Sequence, residues 1–396
     1  MKASKYITPP GWMKQPETQK VMRALGGDET PPKALFVGGA VRNTLFGDPV
    51  VDIDIATALP PEEVVERLGL ANIKSIPTGI DHGTVTAVVN KKPFEITTLR
   101  RDVETDGRRA VVAFTQDWRE DAQRRDFTIN TLLAGPDGAV YDPTGRGLSD
   151  SEARRVVFVG APDERIAEDY LRILRFFRFY AWYGKGAPDD AALAACRAAA
   201  DKISTLSKER ITHEVLKILA VPDPVDVLSL MFENKILEAL FSKEYQPERL
   251  SELCALQAGY RAPEIMARLF VLDGLRHKDV GSFLMLSNAQ KKTLGCYEAA
   301  FSGLGEISEK TVKKLVYKYK NDIALQVLFF KGAPEDLRAL AQSWRAPEFP
   351  LTGEDLLKAG MSPGPGLGKK LSEIESWWMD RHFEPGKAAC LERLGG

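Results

Sequence analysis

The feature that most constrains the fold is a change of hydrophobic period near Pro162. Before it, residues 34–150 hold short segments rich in β-branched and aromatic residues: Ala34–Val37, Val51–Ala56, Gly83–Asn90, Pro93–Leu99 and Val111–Thr115. Gly, Pro and charged turns separate them, a pattern that predicts strands. A short helix is predicted to open after Gly38-Gly39 and end at Thr44–Phe46, and another to span Pro60–Leu70. Beyond Pro162, apolar residues recur at helical spacing. Ile166, Tyr170, Ile173, Leu174, Phe177 and Tyr180 predict one helix over Glu164–Tyr183. Ala191–Lys202, Lys208–Ala220, Pro224–Glu233, Pro263–Phe270, Asn288–Ala300, Ser308–Tyr319 and Asp336–Trp344 continue in that style. The Pro/Gly-rich stretch Pro347–Gly368 is expected to connect two helical pieces. An α/β head followed by a helical remainder is the expected layout.

With 396 residues, 44% of them hydrophobic, the chain can bury a sizeable core and suggests roughly two to four domains. No apolar run reaches the roughly 18 residues of a membrane span. Met1–Met22 lacks the apolar core of a signal peptide, so a cytoplasmic location is expected. Cys196, Cys254, Cys296 and Cys390 lie far apart, as do His82, His213, His277 and His382, and neither set offers a short metal-ligand spacing. Any metal is therefore expected to be hard and held by carboxylates. The net charge of −1 removes bulk basicity as an argument for nucleic acid, and an RNA partner would need a local basic surface.

Three segments carry chemistry. Phe36-Val37-Gly38-Gly39-Ala40-Val41-Arg42-Asn43 reads as a strand, two glycines and a helix start. Glycines let a ligand approach the backbone, and free amides at a helix start favour phosphate oxygens. Val51-Asp52-Ile53-Asp54-Ile55 reads as a strand with Asp52 and Asp54 on one face and Val51, Ile53 and Ile55 in the core. Two neighbouring carboxylates repel unless a cation sits between them, and magnesium suits such a place. Glu95, on the strand Pro93–Leu99, could complete a three-carboxylate site for two-metal phosphoryl transfer. Each segment alone also fits a plain turn or a solvated strand face. Their succession favours phosphoryl chemistry.

Together with Arg124-Arg125-Asp126-Phe127-Thr128-Ile129-Asn130, these segments resemble the class II tRNA nucleotidyltransferases, the bacterial CCA-adding enzymes, whose motifs bacterial poly(A) polymerases share. The likeness runs in order from about residue 34 to residue 215. It implies an α+β chain: a polymerase beta-like palm head with a small mixed sheet, then an all-helical neck, body and tail. The corresponding boundaries are an N-terminal helical extension (1–30), head (31–150), neck (151–222), body (223–346) and tail (347–396). It further implies that Gly38, Gly39 and Arg42 hold a triphosphate, that Asp52 and Asp54 ligate Mg2+ with Glu95 assisting, and that Arg125, Asp126 and Asn130 contact the ribose and nucleotide. Glu168-Asp169-Tyr170-Leu171-Arg172 resembles the family's base-reading motif. Asp169 would accept from the exocyclic amine that C and A share, and Arg172 would donate to ring acceptors, the two sharing a helix face. Arg175 and Arg178 would face phosphates. Lys208-Glu209-Arg210-Ile211-Thr212-His213-Glu214 is expected to support the neck, with Arg210 tied to an acid. One departure stands out: Asn43 occupies a position where the family usually has Asp.

The implied partners are CTP, ATP and the 3′ end and acceptor arm of tRNA, with no membrane and no DNA. The segment Arg100–Trp118, with Asp106-Gly107-Arg108-Arg109, resembles the flexible loop of enzymes that add all of CCA. No Gly-basic-basic-Phe element of poly(A) polymerases lies between Thr57 and Phe94, where Pro77–Val85 resembles the CCA-adding side. Only His277 and His382 lie beyond residue 220, which disfavours the phosphohydrolase domain some relatives carry. Poly(A) addition and a catalytically inactive RNA-binding protein remain the alternatives.

Overall fold

The structure is a computed structural model describing residues 1–80, 83–106, 109–241, 245–259, 263–272 and 280–394. The chain forms two compact units, Met1–Leu240 and Phe241–Gly396. The predicted head and neck both fall inside the first.

The first unit begins with strand β1 (Lys5–Tyr6) and helices α1 (Gly11–Lys14) and α2 (Pro16–Ala24). The segment predicted as a helical extension thus also contributes a strand. There follow β2 (Ala34–Val37), α3 (Gly39–Phe46), β3 (Asp54–Thr57), α4 (Pro61–Leu70), β4 (Lys74–Gly79), β5 (Thr84–Val89) and β6 (Lys92–Thr98). Strands β7 (Arg100–Asp106) and β8 (Arg109–Phe114) pair as a separate hairpin. Gly107 and Arg108, in the segment likened to the flexible loop, lie outside the described residues, as do Asp81, His82 and His277. Then come α5 (Trp118–Gln123), a 3-10 turn (Thr128–Asn130), β9 (Leu133–Ala134), β10 (Ala139–Tyr141) and α6 (Gly147–Glu152).

Eight strands form one mixed sheet in the order β1-β10-β9-β2-β3-β6-β5-β4, in which only β3 and β6 pair in parallel. One face packs Phe36, Ile55, Phe94 and Ile96 under α2 and α4 with Met22, Val64 and Leu68. Full burial of each such side chain contributes about 1.5–3 kcal/mol. The other face buries Leu35, Val37, Ala56, Leu99 and Leu133. The alternation of the two sets along β2 and β3 is the period-2 pattern of the sequence.

Two elements that position the site differ from expectation. The strand predicted over Val51–Ala56 starts only at Asp54, and Val51 is 83% exposed rather than in the core. Its antiparallel partner β2 ends at Val37, opposite Asp54, so residues 51–53 have no ladder to join. Ile53 is buried all the same. The helix predicted over Glu164–Tyr183 is two helices, α7 (Pro162–Glu168) and α8 (Leu171–Tyr183). Asp169 breaks it with an extended backbone (φ −158°, ψ 105°), and its side chain accepts from Leu171 N at 3.1 Å, satisfying an amide at the start of α8. The first unit continues with α9 (Asp190–Ala198), α10 (Lys208–Leu219) and α11 (Val225–Glu233).

The second unit is helical throughout its assigned elements, from Pro247–Gln257 to Lys387–Glu392. Its last part closes on a small core of Leu351, Leu356, Ile374, Trp378 and Cys390. Among the described residues, no helix is long and apolar enough to cross a membrane.

Candidate active site

At the end of β2 the chain turns through Gly38 (φ 65°, ψ −127°), a backbone state that glycine alone adopts without strain, and enters α3. A Cβ on Gly38 would stand 3.9 Å from Asp54 Oδ2, so the bare turn keeps a path open between the α3 amides and that carboxylate. No side chain caps α3. Gly38 and Gly39, at the start of α3, line the same cavity as Asp54.

The sheet register sets the acids. Asp54 pairs with Glu95 across the parallel β3–β6 ladder, which points both side chains to the same face. Burial, reinforced by the charges of Glu95 and Asp52, pushes the Asp54 carboxyl above the ordinary carboxylate range, while Arg125 pulls it down. Asp52 lies in the exposed loop before β3. It is close enough to act electrostatically on Asp54. Among the described residues no three carboxylate, histidine or cysteine groups stand close enough to hold an ion by themselves. The donors nevertheless fit a hard divalent cation: they are oxygens, negative and mutually repelling, with room for substrate phosphates to complete the shell.

These acids open into a cavity of about 500 Å³ lined by Gly38, Gly39, Arg42, Asp54, Glu95, Arg125, Asp126, Asn130, Asp169, Arg172 and Arg175. Eleven of the thirteen residues singled out in the sequence therefore meet in one place. The other two, Asp52 and Arg178, lie outside that lining. Arg178 donates from Nε to the buried Glu214 and lies over the Phe179 ring, 4.5 Å from its centroid.

Arg125 is held against Asp121 at 2.7 Å. Asp126 is buried and accepts from Phe127 N (2.9 Å), Asn130 Nδ2 (3.0 Å) and Arg175 Nε (2.9 Å). Burial alone would raise its pKa, but the Arg175 charge and the hydrogen bonds from Asn130 and Arg175 outweigh it and hold the carboxyl below the ordinary range. Asp169 and Arg172 do not pair with each other. Asp169 accepts from Arg210 Nη2 at 2.6 Å, whereas Arg172 donates to the Arg165 carbonyl at 2.7 Å and to Glu168. The break at Asp169, rather than a shared helix face, presents both to the cavity.

Three further groups, Arg165, Glu214 and Tyr183, hold the site through long-range contacts. Arg165 Nη2 donates to the carbonyls of Arg124 (2.5 Å) and Arg125 (2.8 Å), clipping α7 to the Arg125-Asp126 segment. Glu214 anchors Arg178. Tyr183, at the end of α8, accepts from Arg42 Nη2 at 2.9 Å. None of these long-range partners leaves a local spacing to read.

A mixed sheet that sets paired carboxylates beside a Gly-Gly helix start, closed over by polar side chains of a helical neck, defines a nucleotidyltransferase. Residues 34–157 match the family described as the Poly A polymerase head domain, and residues 187–248 match that described as the probable RNA and SrmB-binding site of polymerase A. The chain is 34% identical to a mitochondrial CCA tRNA nucleotidyltransferase 1 of Danio rerio, covering 91% of this chain and 86% of the relative. It is 33% identical to the CCA-adding enzyme of Streptococcus gordonii, covering 89% and 90%. The crystal structure of the Bacillus stearothermophilus CCA-adding enzyme in complex with CTP superposes with a TM-score of 0.71 at 27% identity, covering 96% of this chain and 98% of that one. The chain belongs to the CCA-adding tRNA nucleotidyltransferase family. Enzymes of this family use divalent metal ions.

Proposed function

We propose that the protein adds C, C and A, taken from CTP and ATP, to the 3′ end of tRNA, without a nucleic-acid template and with Mg2+ as its metal. The observation that carries this reading is that one cavity joins the head carboxylates Asp54 and Glu95 to the neck pair Asp169 and Arg172. Reacting groups and base-reading groups then act on one bound nucleotide.

Asp54, with Glu95 and Asp52, would hold Mg2+, which lowers the pKa of the attacking 3′-hydroxyl and neutralises charge on the transferring phosphoryl group. The Gly38-Gly39 turn and the first α3 amides receive triphosphate oxygens. Arg125 supplies positive charge beside them, steadied by Asp121. Asn130 and Asp126 order the ribose side of the cavity. Asp169 accepts from the exocyclic amine of C or A, and Arg172 donates to a ring acceptor. Uracil and guanine lack that amine at the equivalent edge, so each would leave an acceptor unpaired. Arg178 acts from behind, through Glu214. The division into head (31–150), neck (151–222), body (223–346) and tail (347–396), the acceptor-arm contact and a cytoplasmic setting belong to the same proposal.

Two measurements test it. Offered singly to tRNA lacking its last three nucleotides, CTP is expected to be incorporated and UTP and GTP are not. Equal use of all four triphosphates would contradict the base-reading role. Asp169→Ala is expected to cut the preference for C and A by about tenfold or more, while turnover with CTP falls less. An unchanged preference in a four-way competition would remove Asp169 from that role.

A further inference from the structure

Arg42 is nearly enclosed, 6% exposed, and its fork is already engaged. Nη1 donates to Asn130 Oδ1 at 2.7 Å, Nη2 to the Tyr183 hydroxyl and to Asn43 Oδ1 at 2.9 Å each, and Nε to Asn43 Oδ1 at 3.2 Å. The guanidinium also lies over the Tyr183 ring, 4.0 Å from its centroid. A guanidinium has five N–H donors, and four are spent on these contacts. Arg42 therefore does more than face a phosphate. It ties the head helix α3 to the far end of the neck helix α8.

The same helix is tied once more. Asn130, which accepts from Arg42, donates to Asp126, and Asp126 accepts from Arg175 on α8. Arg175 and Tyr183 are eight residues apart, roughly 12 Å along the axis. Two further ties hold α8 to α10: Arg178 Nε donates to Glu214, and Trp182 Nε1 donates to the Lys217 carbonyl at 2.9 Å. These leave the Tyr183 contact as the tie of that end to the head helix α3, and a pivot of α8 together with α10 about Arg175 would move the start of α8 by roughly half as much as its Tyr183 end, given the rise per residue. Arg172 and the adjoining Asp169 sit at that start. Hydrogen bonds lose their strength over a few tenths of an ångström. Asp54 and Glu95 stand on the sheet and would not move with α8.

We propose that Tyr183 is a positioning residue for nucleotide choice: its contact with Arg42 fixes the tilt of α8, and with it the place of Asp169 and Arg172 relative to the carboxylates. This rests on the base-reading role given to that pair above. Asn43 belongs to the same device. Its Oδ1 accepts from Arg42 while its Nδ2 donates to the Pro49 carbonyl at 2.9 Å, in the loop that leads to Asp52. An aspartate there could accept from Arg42 but could not donate to Pro49.

The test uses the full chain with Tyr183→Phe, which keeps the ring and removes the hydroxyl, and Tyr183→Leu, which removes both. kcat and KM are measured for CTP and UTP on tRNA lacking its terminal three nucleotides, alongside thermal unfolding. In Tyr183→Phe the ratio of kcat/KM for CTP over UTP is expected to fall about tenfold, carried by KM, with kcat for CTP within about threefold of wild type. Tyr183→Leu should fall further in the same direction. If Tyr183→Phe lowers the melting temperature or kcat but leaves the ratio unchanged, Tyr183 is structural and the proposal is overturned. Should Tyr183→Leu not fold, the phenylalanine variant decides. A wild type that shows no preference for CTP over UTP would instead sink the underlying base-reading assignment.

Discussion

Asp54→Ala is expected to lower nucleotide addition by about three to four orders of magnitude, the scale of several kcal/mol of lost transition-state stabilisation. tRNA affinity should stay within about twofold, since RNA affinity draws on Lys and Arg contacts to phosphate rather than on an acid in the sheet. Asp54 carries this effect because three structural facts converge on it. It pairs with Glu95 in the sheet register, it faces the bare Gly38 turn, and burial among like charges makes its ionised form costly without a cation. Asp52→Ala should also abolish addition. Its position in the exposed loop makes it the acid freer to move as an ion arrives. Single-turnover addition with filter binding of tRNA measures both quantities, and near-normal turnover in either variant would contradict the assigned roles.

The second large effect is on stability. Asp126→Ala should cost about 2–4 kcal/mol, because it leaves the Phe127 amide and Asn130 without their acceptor and strands Arg175, whose side chain is 32% exposed and so partly screened by solvent. The 4.0 Å contact between Arg175 and Glu214 offsets only part of that loss. The folded-state pKa of Asp126 is lowered, so its contribution is fully present at neutral pH, above the unfolded carboxylate value of about 3.9. It is lost as pH falls through the lower folded value. Urea unfolding from pH 7 downwards should show wild type and Asp126→Asn converging only below the ordinary carboxylate range. A loss under about 1 kcal/mol for the alanine variant, or a gap independent of pH, would contradict this account.

Much of this site was legible in the sequence because its parts are local. Gly38-Gly39 and the aspartate pair advertise themselves by spacing, and β2, α3 and β6 fall within a residue or two of their predicted bounds. What spacing could not convey is pairing. The strand before Asp54 looked longer because Val51 and Ile53 alternate correctly, yet β2 had already turned away at Gly38. The apolar period runs unbroken through Asp169, but Arg210 and the Leu171 amide claim its carboxylate and the helix opens there. Arg178 looked like one more phosphate ligand on a basic helix. Its partner, Glu214, is 36 residues away in sequence. The spacing of Arg42 suggests a plain phosphate contact, whereas its fork also holds Asn130 and Tyr183 from two other elements.

The central claim is tested most directly by sequencing the ends that the protein makes. tRNA lacking its last three nucleotides is incubated with the protein, Mg2+, CTP and ATP, and the 3′ termini of the products are read. Addition of C, C and then A, ending there, is the predicted result. A run of adenosines, or retained tRNA binding with no nucleotide added, would contradict it.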